Sequence, residues 1–230
     1  MKTIGLIGGM SWESTVTYYQ AINEYVRETL GGLHSAKLLM YSVDFAEIER
    51  CQSAGEWEKS GEILADAAKR LESAGADFIL ICTNTMHKVA PQVQRSLDIP
   101  ILHIADATAD ALLKSGIRKA ALLGTKYTMT QDFYKGRLTE RGIDVVVPNA
   151  QEIEEVNRVI YEELCLGIIS EDSRTKLKNI IARLKAEDGA QAVILGCTEI
   201  GLLIRAEDSA LPAFDTTLIH ARAAVQKAIE

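Results

Sequence analysis

This chain carries one plan twice. A strand-like apolar run, Thr3 to Ile7, ends in Gly8-Gly9, and a later run, Asp77-Phe-Ile-Leu-Ile-Cys82, passes into Thr83-Asn84-Thr85. In the second half Lys119 to Leu123 ends in Gly124-Thr125, and Gln191-Ala-Val-Ile-Leu195 passes into Gly196-Cys197-Thr198-Glu199. The separations nearly match, roughly 75 residues from Gly8 to Thr83 and roughly 73 from Gly124 to Cys197. Each half then adds a second matched run, Ile99-Pro-Ile-Leu-His103 and Leu211-Pro-Ala-Phe-Asp215. A chain repeated in this way reads as a duplication with a pseudo-two-fold axis, which would bring the two polar motifs together across one cleft.

Helical segments separate the runs, the signature of parallel sheets covered on both faces. Ser11 is placed to cap a helix whose apolar positions Val16, Tyr19, Ile22 and Val26 keep helical spacing, with Gly31-Gly32 to end it. Lys37 to Val43 reads as the next strand, and a helix from about Ser60 ends at Gly75. In the second half the pattern predicts a helix over Thr130 to Arg141, a strand over Ile143 to Val147, and helices over about Glu152 to Leu166 and Glu171 to Glu187. The expected fold is α/β: two pseudo-symmetric, Rossmann-like parallel-sheet halves with the active site in the cleft between them. The first half takes residues 1–98 with the final helix 216–230 packed back on it, and the second takes 99–215.

Charge and motifs exclude several classes. With 230 residues and a net charge of -7, the chain lacks the basic footprint of a nucleic-acid partner. No segment approaches the roughly 18 apolar residues of a membrane span, and the first apolar run is too short for a signal sequence, so a cytoplasmic location is expected. Cys51, Cys82, Cys165 and Cys197 are scattered without a Cys-x-x-Cys pair, so no metal site is expected and the thiols should be free. Gly5-Leu-Ile-Gly8-Gly9 is not a dinucleotide fingerprint, and no phosphate-binding loop with its lysine is present.

The chemistry concentrates at strand ends, where open α/β sheets bind ligands. Cys197 follows a strand and precedes a helix start, a setting that lowers a thiol pKa and would make a thiolate base near neutral pH. Thr83 holds the matching position; its hydroxyl can donate or relay a proton, or cap the helix after Asn84. Strand alternation turns Cys82 to the opposite face, into the core. Asn84, Thr85 and Thr198 suit a substrate carboxylate through side-chain and backbone donors, and Thr125 and Thr128 could join them or serve as turn and capping residues. Met10 could offer a backbone contact. His103 and Asp215 sit at paired strand ends, where packing is the simpler role. The acidic run Glu152 to Glu155 reads as the solvated first turn of a helix.

Gly8-Gly9-Met10, Asn84-Thr85-Met86-His87 and Gly196-Cys197-Thr198-Glu199 together resemble the aspartate/glutamate racemase superfamily, closest to its broad-specificity amino-acid racemase and L-aspartate/glutamate racemase branch. The resemblance covers essentially the whole chain. It implies a pyridoxal-independent, metal-free isomerase that interconverts L- and D-amino acids, with no cofactor and an amino acid as its small-molecule partner. One acid/base residue removes the Cα proton and another, on the opposite face, returns it. A homodimer is common in the family, and exposed helices could support one.

Two departures stand out. Most members have cysteine in both motifs, whereas aligning Asn84-Thr85 puts Thr83 at the first position. By analogy Cys197 serves the L face and Thr83 the D face, which implies a preference for L substrates. Aspartate-preferring relatives read the side-chain carboxylate with two basic residues; here those positions fall on Cys165 and near Glu49, with Arg50 adjacent, and Gln52 could read the side chain instead. Glutamate, homoserine and other polar amino acids therefore stay open. So do an arylmalonate-decarboxylase-like or other single-cysteine lyase or isomerase, and a non-catalytic amino-acid-binding protein.

Overall fold

A computed structural model describes residues 1–230. Its backbone divides into two units, Met1–Ile104 with His220–Glu230, and Ala105–Ile219.

In the first unit, β1 (Ile4–Gly8) is followed by α1 (Trp12–Leu30), β2 (Leu38–Ser42), α2 (Phe45–Ala54), α3 (Trp57–Ser73) and β3 (Phe78–Ile81). A 3-10 turn, Thr85–Val89, then leads into the short α4 (Ala90–Gln94). The sheet is parallel in the order β2-β1-β3, with Ile4 opposite both Leu38 and Phe78. Strand alternation separates two cores. Ile4, Leu6, Phe78, Leu80 and Cys82 face α1, while Ile7, Ile79 and Ile81 face α3. Each fully buried Leu or Ile contributes about 1.5–3 kcal/mol by leaving water.

The second unit contains α5 (Ile104–Lys114, entered at the boundary), β4 (Lys119–Gly124), α6 (Lys126–Thr130), α7 (Asp132–Glu140) and β5 (Asp144–Val146). It continues with α8 (Ala150–Glu162), a 3-10 turn at Leu164–Leu166, α9 (Glu171–Ala186), β6 (Ala192–Gly196), α10 (Ile200–Leu203) and β7 (Ala213–Asp215). Its sheet is parallel in the order β5-β4-β6-β7. The last helix, α11 (Thr216–Ile229), leaves this unit and buries Ala221, Ala224, Val225 and Ala228 against Ile4, Phe78 and α1 of the first.

Several details depart from the sequence reading. The phase of α1 differs: Tyr18, Ala21, Ile22 and Val26 are buried, whereas Val16 and Tyr19 are 54% and 55% exposed. Small residues set that phase. Thr15 faces the first strand end, where its hydroxyl accepts the Gly9 N–H at 2.9 Å and donates to Ser11 O at 2.8 Å. Helix α3 begins three residues earlier than expected, α2 went unread, and the helix expected over 130–141 is broken at Gln131, an extended residue between α6 and α7. The Ile99–His103 run forms only a single bridge, Ile101 to Ile79, not a full strand like β7. Side chains occupy its backbone donors: Ile99 N–H goes to Glu72 at 2.9 Å and Ile101 N–H to Gln94 at 2.8 Å. The acidic run is more than a solvated turn. Glu152 completes a capping box with Asn149 and pairs with Arg183 of α9 at 2.5 Å, and Arg158 with Lys176 holds the Glu155 carboxyl down at about 2.

Candidate active site

Both polar motifs lie at carboxyl ends of parallel strands, each in its own unit. In the first unit Gly9 turns the chain after β1 with φ +88°, a conformation that favours glycine, and a Cβ there would lie 2.3 Å from Val43 O. Met10 follows with its side chain buried in the core facing α3. After β3, Cys82 stays in phase with Phe78 and Leu80, and burial alone pushes its thiol far up. It is therefore held as an inert thiol. Thr83 then leaves the strand half-buried, its N–H bonded back to Ile81 O at 2.9 Å. Thr83 is not the cap of the segment that follows; that place belongs to Asn84, whose side chain makes no capping bond. Asn84 and Thr85 are both buried. Gln52, on α2, is buried with its amide donating to Met86 Sδ at 3.0 Å.

In the second unit β4 and β6 end side by side, with Gly124 paired to Gly196. Both positions are crowded. A Cβ on Gly124 would lie 2.7 Å from Gly196 O, and one on Gly196 would lie 2.7 Å from Leu122 Cδ1. Thr125 caps α6, accepting Thr128 N–H at 3.2 Å, with the two hydroxyls 3.1 Å apart, so the capping reading of this pair is realised. Cys197 follows Gly196, nearly buried, and its Sγ–H donates to Glu199 Oε2 at 3.0 Å. The Thr198 hydroxyl donates to the same oxygen at 2.7 Å.

This geometry reverses one expectation. The helix after Cys197, α10, spans only Ile200–Leu203, too short to supply a strong dipole. Burial, then the Glu199 carboxylate, then neighbouring Cys165, push the Cys197 thiol well above its ordinary value. The resting group is thus a protonated thiol hydrogen-bonded to a carboxylate. Such a pair can give a proton, or pass its own to the carboxylate and then take one.

Residues 7–224 match the Asp/Glu/Hydantoin racemase family. The chain belongs to that family. A broad specificity amino-acid racemase of Bacillus subtilis (strain 168) is 24% identical over 229 residues, covering 96% of each chain. Among solved structures, a candidate Asp/Glu racemase from Yersinia pestis is 55% identical, covers 100% of both chains and overlays with a TM-score of 0.93. An aspartate racemase homologue from Pyrococcus horikoshii OT3 is 43% identical over the same full coverage, with a TM-score of 0.87.

Two residues of this racemase family member escaped the sequence reading of the site. Glu199 was visible beside Cys197, but only the structure shows one of its oxygens holding both neighbouring protons. His87 belongs to the Asn84-Thr85-Met86-His87 motif, but nothing in the sequence points to its partners. Its ring joins Thr83 O at 2.8 Å and the Ile104 N–H at 3.2 Å. His103 packs on that ring at 4.5 Å between centroids, and Asp215 caps α11 by accepting the Thr217 and Leu218 N–H groups at 2.8 and 3.2 Å. His103 thus packs as expected, whereas Asp215 serves as a helix cap.

Proposed function

We propose that this protein is a pyridoxal-independent amino-acid racemase in which Cys197 and Thr83 are the two proton-transfer groups. The observation that carries the reading is the Cys197 thiol bonded to Glu199 at the end of β6. For an L substrate, the thiol proton passes to Glu199 and the thiolate takes the Cα proton. The Thr83 hydroxyl returns a proton to the opposite face, and water carries the Glu199 proton back to the Thr83 oxygen. All protons balance over one turnover.

Asn84, Thr85, Thr125, Thr128 and Thr198, with the backbone at Met10, are the groups assigned to hold the substrate. Where aspartate-preferring relatives place cations this chain has Cys165 and the neighbourhood of Glu49, with Gln52 to read the side chain, so the substrate class extends beyond aspartate to glutamate, homoserine and other polar amino acids. A threonine delivers a proton better than it removes one, so turnover of L substrates exceeds that of D, with binding differences keeping the ratio of kcat/KM values at the equilibrium constant. A cytoplasmic homodimer completes the reading. The exposed apolar stripe Trp12, Val16 and Tyr19 on α1 is area for a second copy to cover, and a monomer in sedimentation would remove the dimer.

The test is α-proton exchange by NMR in deuterated buffer over L and D forms of aspartate, glutamate, homoserine and neutral amino acids. Exchange on an L substrate should fall by about 10²–10⁴-fold in Cys197→Ser, the range for a positioned acid/base group. No exchange with any amino acid in the wild type would sink the reading.

A further inference from the structure

We propose that His87 is a positioning residue for Thr83, the last link of a buried imidazole clamp that fixes the direction of the Thr83 hydroxyl. The inference rests on the racemase reading above. Thr83 follows β3 in a tight turn, with its own N–H bonded to Ile81 O at 2.9 Å and the His87 N–H bonded to Asn84 O at 3.1 Å. Nε2 of His87 accepts the Ile104 N–H, so the ring's single proton sits on Nδ1 and is donated to the Thr83 carbonyl at 2.8 Å. A charged ring would have no lone pair for Ile104. The clamp therefore works in the neutral state.

What holds His87 is itself held. The His220 ring lies 5.8 Å from that of His87 and donates from Nε2 to Leu102 O at 2.8 Å. Its Nδ1 is then an acceptor, filled by the Tyr18 hydroxyl at 2.9 Å. Tyr18 stands on α1, His220 on α11, and Ile104 is the last residue of the first unit before α11 rejoins it, so the ring that holds the Thr83 carbonyl is itself framed by separate parts of that unit. Threonine is β-branched and stiff at χ1, so fixing its peptide also aims its hydroxyl. The clamp touches only the backbone of Thr83, which leaves the hydroxyl available to substrate.

Two replacements separate positioning from packing. In His87→Asn the amide nitrogen takes the place of Nδ1 and can still donate to Thr83 O. In His87→Gln the amide reaches only the Nε2 position. With an L amino acid in deuterated buffer, exchange with retention reports the Cys197 step, and inversion reports proton return from Thr83. His87→Gln should lower inversion about a hundredfold, the cost of roughly 1 Å of misplacement, while retained exchange persists. His87→Asn should restore inversion. Parallel loss of both signals in both variants, or unchanged inversion in His87→Gln, would overturn the proposal. An independent measurement needs neither a variant nor turnover: imidazole ¹⁵N shifts of the wild type should show His87 protonated at Nδ1, and an Nε2–H tautomer would overturn the clamp. Absence of exchange in the wild type alongside an Nδ1–H tautomer would instead remove the racemase reading, and this role of Thr83 with it.

Discussion

The strand end at Thr83 and the strand end at Cys197 occupy equivalent places in two units of the same design, yet they are stabilised by opposite chemistry. Cys197 is held by its side chain: the thiol and its neighbour's hydroxyl share one carboxylate oxygen of Glu199. Thr83 is held by its backbone, through the His87 imidazole, which bonds main-chain groups and packs against His220, itself bonded to the Tyr18 phenol and Leu102 O. The first arrangement makes proton affinity adjustable, because a carboxyl group is hydrogen-bonded directly to the sulfur. The second leaves proton affinity alone and controls only direction. A weak acid such as a hydroxyl gains more from aim than from tuning, and a thiol gains from both.

The largest expected effect tests the neutrality of the second arrangement. Burial holds His220 down at about 4, against an ordinary value of 6.5. Above pH 6.5 the imidazole is neutral in both folded and unfolded chains. As the pH falls toward 4, the unfolded chain takes a proton that the folded one refuses, so stability is lost across that window. The loss is about 3 kcal/mol, at 1.36 kcal/mol per unit. Urea unfolding at pH 7 and pH 4.5 should show the gap shrink in His220→Gln; an equal gap in both proteins would place the acid sensitivity elsewhere.

Making the two ends alike is the next way to break the comparison. Thr83→Cys should raise kcat for D substrates by about a hundredfold, the lower range for a positioned acid/base group, and bring the two directions closer together. D-substrate rates no better than wild type would mean that identity at residue 83 does not set the asymmetry.

The smallest effect isolates the carboxylate. In Glu199→Gln the thiol keeps its burial and an acceptor oxygen but loses the charge that pushes it upward, so its pKa should fall. Alkylation of Cys197 by iodoacetamide at pH 8 should then quicken by about tenfold, the worth of one charged hydrogen bond. An unchanged rate would leave the upward shift to burial and Cys165.

Much of this was legible in the chain itself. The alternation of apolar runs and helices fixes two parallel sheets, because period-2 and period-3.6 patterns cannot be exchanged. Alternation also placed Cys82 in the core and left Thr83 free of it. The phase of α1 was not legible, since hydrophobicity points to Val16 and Tyr19 while the contact is made by small residues, Ser14, Thr15 and Ala21, that let the helix approach β1. The state of Cys197 was misread for a related reason. A helix start can be located in sequence, but neither its length nor a carboxylate folding back two residues can be. His87 escaped because its partners, Thr83 O and the Ile104 N–H, are main-chain atoms that every residue possesses.

One feature of the connectivity bears on how the protein is made. The second unit is continuous from Ala105 to Ile219, whereas the first is completed only by His220–Glu230. During synthesis the later-encoded unit can close before the earlier one, reversing the usual N-terminal-first order. Until then β1, β3 and α1 wait with the apolar face that α11 will cover, and the Thr83 turn waits for His220. A molecule clipped before His220 would thus keep the whole second unit, Cys197 included, while its first unit lacked the helix face that covers β1 and β3.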